Sequence, residues 1–210
     1  IAFEVVEDLG RAPAVVVVPT SYGEGLSGIW AGFKQLHDIG VIEVPPRLVA
    51  VEPASGGPLG HALSARLDRV EEVPTFETVA TSIASTTATD RALRSLRESA
   101  GTAIRVSDEE ILASQRAVGR AGIFVEPSAA AGFAALHHIA ANLNGIDPEH
   151  DIAVVVATAG GLRQVSRLVD DLPAVPVLAP EPAALENFLA ESATRTGETM
   201  GGGMIGGGQD

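Results

Sequence analysis

The sequence predicts an α/β protein: an open parallel sheet with helices on both faces. Three observations carry this prediction. The runs Ala14–Val18, Arg47–Val51 and Ile152–Val156 are short and dominated by apolar, often β-branched residues, as strands buried on both faces are. Segments with apolar residues three and four apart lie between them, so strands alternate with helices. The first and third runs each lead into a Gly-containing elbow, Ser21-Tyr22-Gly23-Glu24-Gly25 and Ala157-Thr158-Ala159-Gly160-Gly161, at the start of a helical segment. Open parallel sheets bind ligands at the carboxyl ends of their strands, where such elbows lie.

Ile1, Val5, Val6 and Leu9 are in helical register, and Gly10 stands where a helix C-cap belongs. After the first strand and elbow, Leu26, Trp30, Phe33 and His37 place one stripe on a helix. Pro45-Pro46 stops that pattern, and Arg47–Val51 returns as a strand through a parallel crossover. Glu52–Gly60 is a turn-rich loop followed by a short helix through Leu67, and the Thr- and Ser-rich Val73–Thr89 reads as loop with short helical pieces. Asp90–Glu98 is a helix carrying Ala92, Leu93 and Leu96, and Thr102–Val106 is a strand.

Ser107-Asp108-Glu109-Glu110 is a capping-box sequence, opening a helix through Ile111, Leu112 and Val118 to about Gly119. Pro127 starts a helix with Ala129, Phe133, Leu136, Ala140 and Leu143 on one face. A helix over Leu162–Asp170, a short strand over Val175–Leu178 and a helix over Ala183–Ala193 are expected to follow. Residues 1–195 form one α/β unit by this reading, and the Gly-rich 196–210 a tail expected to be disordered.

A chain of 210 residues with 46% hydrophobic content fills a real core. Its net charge of −13 repels nucleic-acid backbones and anionic membrane surfaces, so neither is expected as a partner. Cysteine is absent, which excludes disulfides and thiolate chemistry. No apolar run is long enough to span a bilayer, and Ile1 opens without the pattern of a signal peptide, so a cytoplasmic protein is expected. Thirteen of the fourteen basic residues are Arg; the remaining one is Lys34.

The first elbow admits two functional readings beside that of a simple tight turn. Gly23-x-Gly25-x-x-Gly28 matches a dinucleotide fingerprint between strand and helix, with Glu52 at the end of the next strand as the ribose-binding acid of an NAD-binding protein. Alternatively Ser21–Gly25 cradles a phosphate at the helix N-terminus, while Thr158 offers a hydroxyl to a ring nitrogen. Glu126, before the Pro127 helix, adds a carboxylate that also suits the helix start. His137 and His138 face different directions, no cluster has metal-ligand spacing, and Arg91, Arg94 and Arg97 read as a solvated helix face.

Four stretches in order, VVVVPTSYGEGLSGIWAGFKQL, PRLVAVEP, GIFVEPSAAAGFAAL and VVVATAGGL, resemble the fold-type II pyridoxal-phosphate enzymes, most closely threonine synthase and its homologues. The resemblance runs from Ile1 to about Ala193. It implies pyridoxal 5'-phosphate as cofactor, its phosphate on Ser21, Tyr22, Gly23, Glu24 and Gly25, its pyridine nitrogen facing Thr158, and Glu126 nearby. Glu24 stands where the family usually has a small or amide residue, and Thr81–Thr87 departs from the threonine synthase pattern.

Such enzymes hold the cofactor as a Schiff base to a lysine. Lys34 lies nine residues into its helix from Gly25, about 13 Å along the axis, and reads as a surface residue. No catalytic residue is therefore expected in this chain, which looks like the C-terminal part of a lyase or synthase that is inactive without its N-terminal part. The partners implied are an amino-acid substrate, that N-terminal part and a second copy in a homodimer. A threonine or serine dehydratase-like lyase is the nearest alternative; an NAD-binding protein and an inactive binding module are the others.

Overall fold

Strands form where every side chain finds cover. In the computed structural model, which describes residues 1–74, 77–147, 149–164 and 175–200 (the side chains of 140 and 192–200 apart), β1 (Val15–Pro19) is buried throughout. β2 (Arg47–Pro53) is buried from Leu48 onward, and β3 (Thr102–Val106) and β4 (Ala153–Val155) flank the pair with more exposure, as outer strands do. All pairs are parallel in the order β3-β2-β1-β4, with Val17 opposite Val49 on one side and Val155 on the other. The chain moves outward from β1 to β3, then returns to the far flank of β1. Strand order therefore reverses between β1 and β4, which makes that gap the topological switch point.

Alternation along the strands assigns side chains to two layers. Val16, Val18, Leu48 and Ala50 pack against α1 (Ala2–Leu9), α2 (Glu24–Asp38), α3 (Pro58–Ser64) and α4 (Asp90–Glu98) through Val6, Phe33, Leu59 and Leu93. Val15, Val17, Val49 and Val51 pack on the other face against α5 (Asp108–Arg120) and α6 (Pro127–Ala134), through Ile111 and the alanines 129–131. Each fully buried Val, Leu or Phe contributes roughly 1.5–3 kcal/mol, so both layers are needed to hold the sheet. The capping box at Ser107 forms: Ser107 Oγ accepts from Glu110 N at 3.3 Å, and Glu110 Oε2 accepts from Ser107 N at 2.7 Å.

Several expectations change. The helix from Pro127 is not continuous to Leu143: α6 stops at Ala134, a 3-10 turn covers Ala135–His138, and α7 is Ile139–Asn142. That tighter turn holds His138 Nε2 2.6 Å from Glu110 Oε1. The helix expected over Leu162–Asp170 begins as a 3-10 turn, Gly161–Gln164, and 165–170 lie outside the described residues. No strand forms over Val175–Leu178, because Pro176 lacks a ladder N–H and Val175 and Val177 stand 86% and 96% exposed. Arg91, Arg94 and Arg97 are exposed as expected of a solvated helix face, and Arg97 also donates to the carbonyl of Leu67.

The last helix, α8 (Pro182–Met200), includes the expected Ala183–Ala193 and runs past Gly197, while 201–210 lie outside the described residues. It belongs to a second compact unit, Arg167–Asp210, the first being Ile1–Ser166. Among the described residues no helix is long and apolar enough to cross a membrane.

Candidate active site

Both elbows leave the sheet at the switch point. Thr20 closes β1, its N–H bonded to the carbonyl of Val51 at 2.8 Å and its hydroxyl to that of Val18 at 2.6 Å, and the chain turns out at Ser21. Gly23 is the N-cap of α2 with φ 94°, and a Cβ there would lie 2.3 Å from Ala92 Cβ. Left-handed backbone and close approach of α4 both require glycine. The Tyr22 carbonyl accepts from Thr89 N at 2.8 Å, which ties the elbow to the start of α4.

No side chain caps α2, so the leading N–H groups of a 15-residue helix are left for a ligand at the carboxyl end of β1. Ser21 is half-buried, Tyr22 is 55% exposed, and Glu24 and Gly25 are exposed. A Cβ at Gly25 would meet nothing within 4 Å, so the space beside it is open.

The second elbow extends β4. Val156 N donates to Val17 O at 2.9 Å, and Thr158 follows two residues later, exposed. Ser21 and Thr158 thus emerge at the same end of adjacent strands, which run about 4.8 Å apart. The segment before α6 lies against this elbow: Val125 bridges Gly160, Glu126 N donates to Ala159 O at 3.2 Å, and Gly161 N donates to Phe124 O at 3.1 Å. Gly132 lets α6 lie over both strands, since a Cβ there would come 2.8 Å from Val155 Cγ1 and 3.2 Å from Pro19 Cγ.

Glu126, beside the second elbow, is a buried carboxyl group, 3% exposed. It sits at the N-cap of α6 without a capping bond, and its Oε2 has no hydrogen-bond partner among the described residues. Arg163 Nε stands 4.0 Å from that oxygen, with 74% of the Arg163 side chain exposed. Gln164 Nε2 donates to Thr81 Oγ1 at 2.8 Å, and Ser82 N donates to Ser128 Oγ at 3.1 Å. The 3-10 turn Thr81–Ile83 is therefore laced to both the second elbow and α6. Sequence reading missed Thr81, Ser82, Arg163 and Gln164; the available signal is a basic and an amide residue one position beyond Gly160-Gly161, after Leu162.

The dinucleotide reading fails on geometry. Its third glycine serves close helix–strand packing, yet Gly28 is exposed and a Cβ there would meet nothing within 4 Å. Its acid, Glu52, is 1% exposed and caps α3, Oε1 accepting from Leu59 N at 2.9 Å and Oε2 from Gly60 N at 2.8 Å. Burial holds the Glu52 carboxyl above the usual glutamate range, opposed by those two bonds and by Arg105. Lys34 Nζ is bound to Glu98 Oε2 at 3.0 Å, beside the Trp30 indole N–H at 2.8 Å, away from both elbows. Among the described residues no group of three or more His, Asp or Glu could hold a metal ion.

The family model of pyridoxal-phosphate dependent enzymes matches residues 1–158, a span that begins at Ile1, the N-cap of α1, and ends on Thr158. The chain belongs to the pyridoxal-phosphate-dependent enzyme family. Among relatives of that family, threonine synthase of Mycobacterium tuberculosis is 32% identical over 187 residues, 88% of this chain and 49% of that protein. Threonine synthase of Methanocaldococcus jannaschii is 32% identical over 167 residues, 78% of this chain and 41% of its own. The chain thus spans about half the length of the curated relatives it matches. Two solved structures share the fold: a fungal L-serine ammonia-lyase from Rhizomucor miehei (TM-score 0.66, 22% identity, 81% of this chain and 54% of that one) and maize serine racemase (TM-score 0.65, 20% identity, 80% and 48%).

Proposed function

We propose that the crevice between the two elbows holds pyridoxal 5'-phosphate, and that the complete enzyme catalyses elimination or replacement at the β or γ carbon of an amino acid, as a threonine synthase. One observation carries this reading: an uncapped helix N-terminus and an exposed threonine leave adjacent strands at the switch point, with a buried carboxylate between the second elbow and α6. In this reading the backbone of Ser21, Tyr22, Gly23, Glu24 and Gly25 binds the phosphate, and the Thr158 hydroxyl meets the ring nitrogen. The site fits the group: Gly25 leaves room for close approach, and Glu126 Oε2, without a hydrogen-bond partner among the described residues, is an acceptor open to a donor. Glu24 is exposed, so water screens its charge from the phosphate.

Pyridoxal phosphate supplies an electron sink beside the amino-acid nitrogen. This chain would supply binding and orientation: the leading N–H groups of α2 would hold the phosphate, Thr158 would offer its hydroxyl to the ring nitrogen, and Glu126 borders the second elbow. The lysine that carries the cofactor belongs to the part of the relatives' length this chain does not span, so the chain alone is inactive. Its partners are that N-terminal part, the amino-acid substrate and a second copy in a homodimer, in the cytoplasm. A dehydratase-like lyase is the second reading, favoured by the Thr81–Thr87 segment, TSIASTT, which departs from the threonine synthase pattern.

The complete enzyme decides both points. Thr158→Val lowers turnover about 10- to 100-fold, the value of one or two hydrogen bonds to a charged or reacting group, with the unfolding midpoint unchanged; unaltered turnover overturns the assignment of Thr158. Turnover of O-phosphohomoserine to threonine supports the synthase reading, and deamination of threonine or serine instead supports the second.

A further inference from the structure

We infer that Arg163 anchors an anionic group of the substrate, a carboxylate or a phosphate, at the mouth of the crevice; this rests on the reading that the elbows hold pyridoxal phosphate. The chain carries a net charge of −13, and the first elbow adds the exposed Glu24, so an anionic substrate needs a local cation. Neither elbow carries a basic residue, and Arg163 is the first one after the second elbow, in the 3-10 turn Gly161–Gln164. Its Nε lies 4.0 Å from the buried carboxylate of Glu126, while 74% of the side chain stays exposed. One edge of the guanidinium thus faces the Glu126 carboxylate without a hydrogen bond to it, and a planar guanidinium fork suits bidentate binding of carboxylate or phosphate.

The platform under Arg163 is stiff on both sides. Gly160 bridges Val125, Arg163 N donates to Gly160 O, and the next residue, Gln164, is tied to Thr81. Two buried oxygens beside it, Glu126 Oε2 and Gln164 Oε1, have no hydrogen-bond partner among the described residues.

The test uses the complete enzyme with its cofactor site filled, as verified by absorbance, and inorganic phosphate as the probe in calorimetry. Arg163→Gln weakens phosphate binding about 10- to 100-fold and Arg163→Lys by about threefold or less, because Lys keeps the charge but not the fork. Cofactor affinity stays the same in both variants. A rise in KM for Arg163→Gln confined to a phosphorylated amino acid assigns the substrate phosphate; a rise for unphosphorylated amino acids as well assigns the α-carboxylate. Equal phosphate affinity in wild type and Arg163→Gln overturns the inference, as does a lower unfolding midpoint with KM unchanged, which reduces Arg163 to a counter-ion of Glu126. Failure of the wild type to take up cofactor sinks the underlying reading first, and this inference with it.

Discussion

Gly23 shows how one residue can serve backbone, packing and site together. Its φ of 94° and the 2.3 Å approach to Ala92 Cβ leave no room for a side chain. Gly23→Ala is expected to cost about 2–5 kcal/mol, the sum of left-handed strain and overpacking, read as a lower urea midpoint. Glu52 makes the contrasting case, a buried carboxyl that looks functional in the sequence and is structural. Because its folded-state pKa is raised, its contribution to stability is fully present below the ordinary glutamate range and is lost as pH rises through the folded value. Wild type should therefore gain on Glu52→Gln as pH falls from 7 toward 4, by urea midpoints at each pH. A difference that stays constant with pH would show that burial does not perturb Glu52. Reading the chain alone gave Glu52 a ribose to bind because it marks the end of a strand; its two backbone partners, seven and eight residues on, were hidden in a turn-rich loop.

At the level of elements, patterns with a local cause were legible and those with a distant cause were not. The Ser107 capping box depends on four consecutive residues and forms as its sequence implies. Ser107→Ala should lower stability by about 1 kcal/mol, with the same urea dependence as wild type. β1 and β2 were legible for a similar reason, since unbroken apolar runs have few other homes. The break after Ala134 was not, because it answers to Glu110 through His138, 28 residues away. Nor was the short turn at Thr81–Ile83, held by Ser128 and Gln164 rather than by its own periodicity. α6 lies flat on the sheet only because residue 132 is glycine. Gly132→Ala, pressing on Val155 and Pro19, is expected to cost about 1–3 kcal/mol by thermal or urea unfolding, and a stability equal to wild type would mean that α6 shifts freely.

The whole molecule turns two separate sequence elbows into one place. They lie far apart in the chain, and only the strand order β3-β2-β1-β4 brings the ends of β1 and β4 side by side. Residue types and the resemblance of four stretches named Ser21–Gly25, Glu126 and Thr158; the strand order puts the two elbows at one end of adjacent strands, and Arg163 and Gln164, which carry no motif, follow the second. The most direct measurement is an amide-resolved NMR titration of the protein with pyridoxal 5'-phosphate. Saturable shifts concentrated in Ser21–Leu26, Glu126 and Ala157–Gln164 are the expected result. Shifts confined to other regions, such as Gly57–Gly60 beside Glu52, or none at saturating cofactor, would contradict the site proposed between the elbows.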